Sequence, residues 1–345
     1  MPKDEQTETR SQILPEKREE RLFGERSTVN GERIPLYYSL NEYLRGVFGC
    51  RVHKIPIDAG FTCPNRDGTK SLRGCIYCNN HGSGTGAFAR GISIAEQVWT
   101  AKSFLSRRYG AKKFIAYFQS FSNTYAPIEI LKERYEQALN DPDIVGLAVG
   151  TRPDCVNKGI LELLSSYREK HAVWIEYGLQ SAHDRTLELI NRGHSVADFL
   201  DAVNIAADLG IPVCVHIIIG LPGEGRKQMI ETARFLSTLK IQGLKIHLLY
   251  VVKGSQMEDL LRKGQYRALE KDEYVEIVCD ILELLPPDLI IHRLTGDPRP
   301  EELVEPLWAN DKAGALNAIR AELKKRGSYQ GKRYGIGDFG FRISD

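Results

Sequence analysis

Three cysteines fall within sixteen residues, Cys63, Cys75 and Cys78, in the stretch CPNRDGTKSLRGCIYCNN, and His81 follows three positions after the last of them. Thiolates are soft ligands and imidazole often joins them, so the spacing C-x11-C-x2-C admits two chemistries. In one, the three cysteines and His81 close a tetrahedral zinc site. In the other, three thiolates hold three irons of a four-iron cluster and the fourth iron stays open for a substrate-like ligand. Purely structural thiols fit poorly with a polar, glycine-rich loop. The remaining cysteines, Cys50, Cys155, Cys214 and Cys279, lie among apolar neighbours, as reduced core thiols do, and no disulfide framework is expected.

A loop of this kind needs a scaffold to converge its ligands. Six apolar runs read as strands: VHKIPI, KFIAYFQ, IVGLAVG, AVWIEYG, PVCVHIIIG and GLKIHLLYV. Segments with apolar i, i+3, i+4 spacing separate them, such as SIAEQVWTAKSFLSRRYG and PIEILKERYEQALN. Near-continuous apolar strands alternating with helices imply a parallel sheet covered by helices, either a barrel or a doubly wound sheet. Polar residues recur at the strand ends: Gln119 and Ser120, residues 151–154, Gln180, and residues 220–224. A TIM-type barrel arranges its active face in that way.

The 345 residues, 42% hydrophobic, suffice for one large α/β domain with extensions. Residues 1–32 mix both charge signs without apolar periodicity and are expected to form a disordered arm. The core domain is expected over 33–255, opened by a short helix carrying Tyr37, Tyr38, Tyr43 and Phe48. Residues 256–345 are expected to form a helical extension with a basic, aromatic tail. A net charge of +2 neither demands nor excludes a nucleic-acid partner. No apolar run is long enough to span a membrane and the first residues are charged, so a soluble, cytoplasmic protein is expected.

CPNRDGTKSLRGCIYCNN, YFQSFSNTYAP, GTRPDC, EYGLQSAHDRTLELINRGHS and HIIIGLPGE, taken in order, resemble the radical S-adenosylmethionine superfamily. The closest likeness is to a bacterial family related to the radical domain of the Elongator catalytic subunit. It runs from about Leu36 to Trp308 and more weakly to Arg326. The resemblance implies a partial (β/α)6 TIM-type barrel, with Cys63, Cys75 and Cys78 holding a [4Fe-4S] cluster and His81 a bystander. Similar enzymes bind S-adenosylmethionine to the open iron, inject an electron, and release a 5′-deoxyadenosyl radical that abstracts hydrogen. An electron donor such as flavodoxin or ferredoxin is then required. The first gap departs from the superfamily's usual C-x3-C-x2-C and reads as a larger loop.

By the same resemblance Tyr77 packs its ring by the cluster and adenine, Gln180 meets the ribose hydroxyls, and Arg192 pairs the methionine carboxylate, as its guanidinium fork suits. The superfamily's Gly-Gly-Glu segment is replaced by YFQSFSNT, in which Gln119 and Ser120 are the candidate acceptors for the ammonium group. Gly220 permits a sharp turn close to adenine. The GSGTG run at 82–86 is weak evidence for a phosphate cradle. Asp154 and Glu176 are carboxylates near strand ends. Glu176, flanked by apolar residues, needs a cationic partner, for which Arg152 and Arg192 are the candidates. His216, where many members carry an acid, and His247 are named as pocket residues.

The Elongator relationship implies tRNA as substrate, with chemistry at the C5 side chain of wobble uridine, from carboxymethylaminomethyl toward aminomethyl. In the tail, residues 312–345 hold eight Lys or Arg against three acids, interleaved with Tyr329, Tyr334, Phe339 and Phe341. Such a composition suits an RNA-holding arm or, equally, a solvated helix end and packed tail. Two other functions are weighed beside this one: the same radical chemistry on a small molecule, and a zinc-dependent RNA-binding module.

Overall fold

The computed structural model describes residues 26–29, 32–79 and 86–336, with side chains from 35 onward. His81, the glycine run at 82–85, most of the expected N-terminal arm, and Phe339, Phe341 and Arg342 of the tail lie outside the described residues. Residues Arg26–Val29 and Glu32–Pro35 pair as an antiparallel hairpin.

Strands with apolar residues on both faces build the centre: β1 (Val52–Ile57), β2 (Lys113–Phe118), β3 (Ile144–Thr151), β4 (Ala172–Gln180), β5 (Val213–Ile219), β6 (Gly243–Leu248) and β7 (Ile290–Arg293). Each pairs in parallel with the next, so sheet order follows chain order. The crossovers carry α2 (Ile94–Tyr109), α3 (Ile128–Leu139), α4 (Lys158–Ser166), α5 (Asp184–Leu189), α6 (Val196–Asp208), α7 (Arg226–Ser237), α8 (Gln256–Arg262) and α9 (Lys271–Leu284) outside the sheet. The expected partial barrel is present, with a seventh strand added. That strand, IIHR, comes from the segment expected to be a helical extension; four residues are too few for a periodic signal.

The sheet curls. Lys54 on β1 and His292 on β7 approach to 3.3 Å between Nζ and Nδ1 across the interior, although no ladder joins the two edge strands. Pleating assigns the faces. Ile55, Ile57, Phe114, Phe118, Leu147, Val149, Ile175 and Tyr177 point outward into the layer under the helices. Inward-facing Val52, Ile115, Ala148, Trp174, Cys214 and Ile290 plug the N-terminal end of the lumen together with Leu44 of α1 (Leu40–Phe48). Tyr43 of α1 packs edge-on against Trp174 at 5.8 Å.

Helix starts follow local chemistry. Ser39 with Glu42, Ser93 with Glu96, and Ser195 with Asp198 form capping boxes at α1, α2 and α6. The free edge of β7 is covered by the segment before α1, with Ile291 N donating to Tyr38 O at 2.8 Å. Gln330 fastens that corner: its amide donates to Pro286 O and Leu289 O, and its oxygen accepts from Tyr38 N. Among the described residues no helix is long and apolar enough to cross a membrane.

Candidate active site

The cysteine loop follows β1 at the C-terminal mouth of the sheet and is stitched to the Asn191–Arg192–Gly193 turn after α5. Ile76 N donates to Ile190 O at 3.1 Å, Asn191 Nδ2 to Gly74 O at 2.6 Å, and Lys70 Nζ to Gly193 O at 2.8 Å. Asn65 Nδ2 reaches both Asn191 O and, at 3.6 Å, Cys75 Sγ. The eleven-residue gap folds back on itself through Lys70 N donating to Pro64 O at 2.8 Å and Gly74 N to Asn65 O at 2.7 Å. Gly74 supplies the left-handed backbone, at φ 69°, that the turn needs.

Arg192 is the pivot. Nε and Nη2 both donate to Gly178 O, at 3.2 and 2.6 Å, and Nη1 points at Cys75 Sγ at 3.6 Å. The absence of a side chain at Gly178 leaves room for this approach, because a Cβ there would come within 2.7 Å of Arg192 Nη2 and 2.6 Å of Gln180 Nε2 and displace them. The guanidinium acts on the charge of all three thiols. A hydrogen bond from Cys78, the Arg192 charge and the Tyr77 hydroxyl together hold Cys75 well below the ordinary thiol range, against the opposing effect of burial. Tyr77 thus lies by the sulfurs, its hydroxyl bonded to Cys75. The donor set is three thiols around one buried cation, with Cys63 and Cys75 themselves buried. Soft, anionic donors beside a compensating positive charge fit an iron-sulfur cluster.

Around this loop the other strand ends converge. Gln119 N donates to Ile57 O at 3.4 Å, and Ser120 is wholly buried with an unpartnered Oγ. Gln180 ends β4 with φ 80°, a left-handed conformation that a non-glycine residue adopts at a cost. Gly220, at φ 92°, turns the chain after β5, and its carbonyl accepts from Tyr266 OH at 2.9 Å. Asp154 is committed elsewhere: Arg152 grips it with two bonds of 2.9 Å and Lys70 adds a third at 2.6 Å. Burial works against its charge, but the Arg152 and Lys70 cations prevail and hold it below the usual carboxylate range. Arg152 Nη1 in turn donates to Arg192 O, so Asp154 buttresses the pivot.

Glu176 has other partners than Arg152 or Arg192. Its carboxylate lies in the lumen, bonded to Lys54 Nζ from β1, Lys245 Nζ from β6 and, at 2.8 Å, His216 Nε2 from β5. The expectation failed because curling brings β1 and β6 opposite β4, whereas Arg152 and Arg192 lie above, at the mouth. Burial would raise the Glu176 carboxyl, but Lys245 and Lys54 hold it well below its ordinary range. Burial likewise pushes Lys245 down to about 8 and His216 down to about 4. Tyr117 OH accepts from Lys245 at 2.9 Å, and the His247 ring lies 5.3 Å from that of His216. Lys54, Lys245, Asn65 and Asn191 were missed from sequence; a lysine centred in an apolar strand was the available signal for the first two.

The tail is largely self-satisfied. Lys312 pairs with Asp297, Arg326 with Asp280 and Glu322, and Arg333 with Glu283. Tyr334 is exposed, and Phe339 and Phe341 lie outside the described residues.

Residues 65–236 match the model of the Radical SAM superfamily, and residues 241–325 that of the Radical SAM C-terminal domain. The uncharacterized protein YtqA of Bacillus subtilis is 45% identical over 86% of this chain and 92% of its own length. Elongator complex protein 3 of Mus musculus is 29% identical over 44% of this chain, which spans only 28% of that protein. The solved archaeal Elp3 of Methanocaldococcus infernus shares the fold at a TM-score of 0.63 and 16% identity, over 81% of this chain and 64% of that one. The chain belongs to the radical S-adenosylmethionine superfamily, with its [4Fe-4S] cluster and S-adenosylmethionine as cofactors, in a family related to Elongator complex protein 3.

Proposed function

We propose that this radical S-adenosylmethionine enzyme modifies tRNA at the C5 side chain of wobble uridine, taking a carboxymethylaminomethyl group toward aminomethyl. The observation that carries the reading is the sequence relationship to Elongator complex protein 3. Cys63, Cys75 and Cys78 hold the cluster in this reading. Cys63 precedes the matched span, and its membership rests on its burial beside Arg192 and Cys155. When bound, the cluster and S-adenosylmethionine supply a carbon radical for hydrogen abstraction, with flavodoxin or ferredoxin as electron source. Gln119, the unpartnered Ser120 hydroxyl, Gln180, Tyr77 and Gly220 bound the cofactor space at the mouth. Arg192 fixes Cys75 and Gly178, and Asp154 acts through Arg152 to position it.

A candidate RNA-contact surface other than the tail lies at the N-terminal end of the sheet, opposite the mouth. Arg51, Arg107, Arg108 and Lys112 are exposed, with Lys113 beside them, and none of the five makes an ion pair among the described residues. Tyr109 lies between Arg51 and Arg108, at 5.3 and 5.4 Å from their guanidinium carbons, and Phe104 is exposed beside them. Uncompensated cations interleaved with aromatic rings suit phosphates and unpaired bases. Mass spectrometry of tRNA nucleosides from cells lacking the protein should show the carboxymethylaminomethyl form accumulating. Unchanged wobble nucleosides would remove the tRNA reading and leave radical chemistry intact.

A further inference from the structure

Inward-facing side chains keep some exposure down to a definite depth. On β5 the inward-facing His216 side chain keeps 16% exposure, while its outward neighbours Val215 and Ile217 are fully buried. Lys54 keeps 15%, and Pro56, Gln119, Ile218 and His247 nearer the mouth are also partly or wholly exposed. Below Lys54 and His216 the Trp174 plug closes the channel.

At that floor the charges do not balance. Two ammonium groups, Lys54 and Lys245, meet the one carboxylate of Glu176, whose two oxygens both have partners. The other titratable groups facing the floor are Tyr117, Cys214, His247, His292 and Arg293, none of them acidic in the carboxylate range; Arg293 approaches Asp297 at 4.0 Å. His247 Nε2 is buried without a partner. Glu176, Cys214 and His292 have metal-ligand spacing, but two lysines on the carboxylate repel a cation. A surplus positive charge in a partly desolvated space, beside an unpartnered ring nitrogen, is stabilised by an anion.

We propose that this floor is the receptor for a carboxylate on the substrate, with Lys54 pairing its charge and His247 Nε2 donating to it. The inference rests on the carboxymethylaminomethyl reading, whose distinguishing group it places. A substrate held by that carboxylate extends toward the mouth, so that its nearer carbons face the cofactor space. The device also selects: a side chain lacking the anion leaves the floor uncompensated.

The test compares two RNA substrates, one with the carboxymethylaminomethyl group and one with its carboxamide, on anaerobically purified holoenzyme. Lys54→Met should lower the carboxylate-over-carboxamide ratio of kcat/KM about tenfold, as expected for loss of a charge pair, and Lys54→Arg should restore it. An unchanged ratio in Lys54→Met overturns the inference. Crystals of the holoenzyme soaked in bromide give a readout independent of substrate. An anomalous peak between Lys54 and His247, absent in Lys54→Met, is expected; a floor without bromide in the wild type overturns the receptor. If bromide binds while neither RNA reacts, the tRNA reading falls and the anion receptor stands.

Discussion

At the residue scale, one arginine and one glutamate organise two halves of the site. Arg192 ties a thiol to the strand it faces, and the absence of a side chain at Gly178 makes the approach possible. Gly178→Ala should therefore displace the guanidinium and loosen the cysteine loop. Overpacking of this kind costs about 1–3 kcal/mol, and the variant is expected to purify with reduced iron content and faster alkylation of its thiols. Wild-type iron retention would show that the fork does not position Cys75. Glu176 is the only acid among the floor groups described, so Glu176→Gln leaves two buried ammonium groups facing each other. Breaking a buried pair costs about 3–5 kcal/mol, which urea unfolding would register.

The same burial sets a pH dependence. Burial, then the neighbouring Arg192, pushes His194 down to about 3, and burial with Lys245 pushes His216 down to about 4. The unfolded chain protonates its histidines near the ordinary value while the folded chain does not. The histidine contribution to stability is therefore complete above about pH 6.5 and is lost as pH drops toward 4, by about 1.4 kcal/mol per pH unit for each proton bound only by the unfolded chain. Glu176, held low, adds a loss of the same sign at lower pH still. Urea midpoints should fall between pH 7 and pH 5, less steeply in His216→Gln. A flat profile would show that these rings are not held neutral.

At the element scale, helices and strands were largely legible because each carries its own signal. Ser39, Ser93 and Ser195 announce helix starts through bonds to their own first turns, and the six longer strands are apolar runs. The seventh strand was not, since IIHR acquires its ladder only when β6 is alongside. The Gln330 latch was equally hidden: its partners Tyr38, Pro286 and Leu289 include one nearly three hundred residues away. Gln330→Ala should cost about 1–3 kcal/mol through the carbonyls left without donors. A melting temperature equal to wild type would indicate that water replaces them.

At the scale of the whole molecule, charge is divided between a self-paired tail and an unpaired surface at the end of α2. Replacing Arg51, Arg107, Arg108, Lys112 and Lys113 by glutamine should weaken tRNA binding and reduce its salt dependence, by about one unit of slope for each phosphate no longer neutralised. Replacing Lys332 and Arg333 should change the slope little. The opposite ranking, measured by filter binding across a salt series, would return the RNA to the tail.

By itself the sequence determined what local chemistry controls: the clustered thiols, the alternation of strand and helix, and the ordered motifs that mark the superfamily. Asp154 and Gln180 were named as site candidates from positions near strand ends, where a parallel sheet places its working face, whereas Arg192, in the turn after α5, was named only through the resemblance. The tertiary structure decided whom each of them meets. Lys54, Glu176 and Lys245 are separated by 122 and 69 positions, and only the curl of a seven-stranded sheet turns them toward one another. An ion pair needs a distance of a few ångströms, and a distance between remote strands is set by how the whole sheet closes.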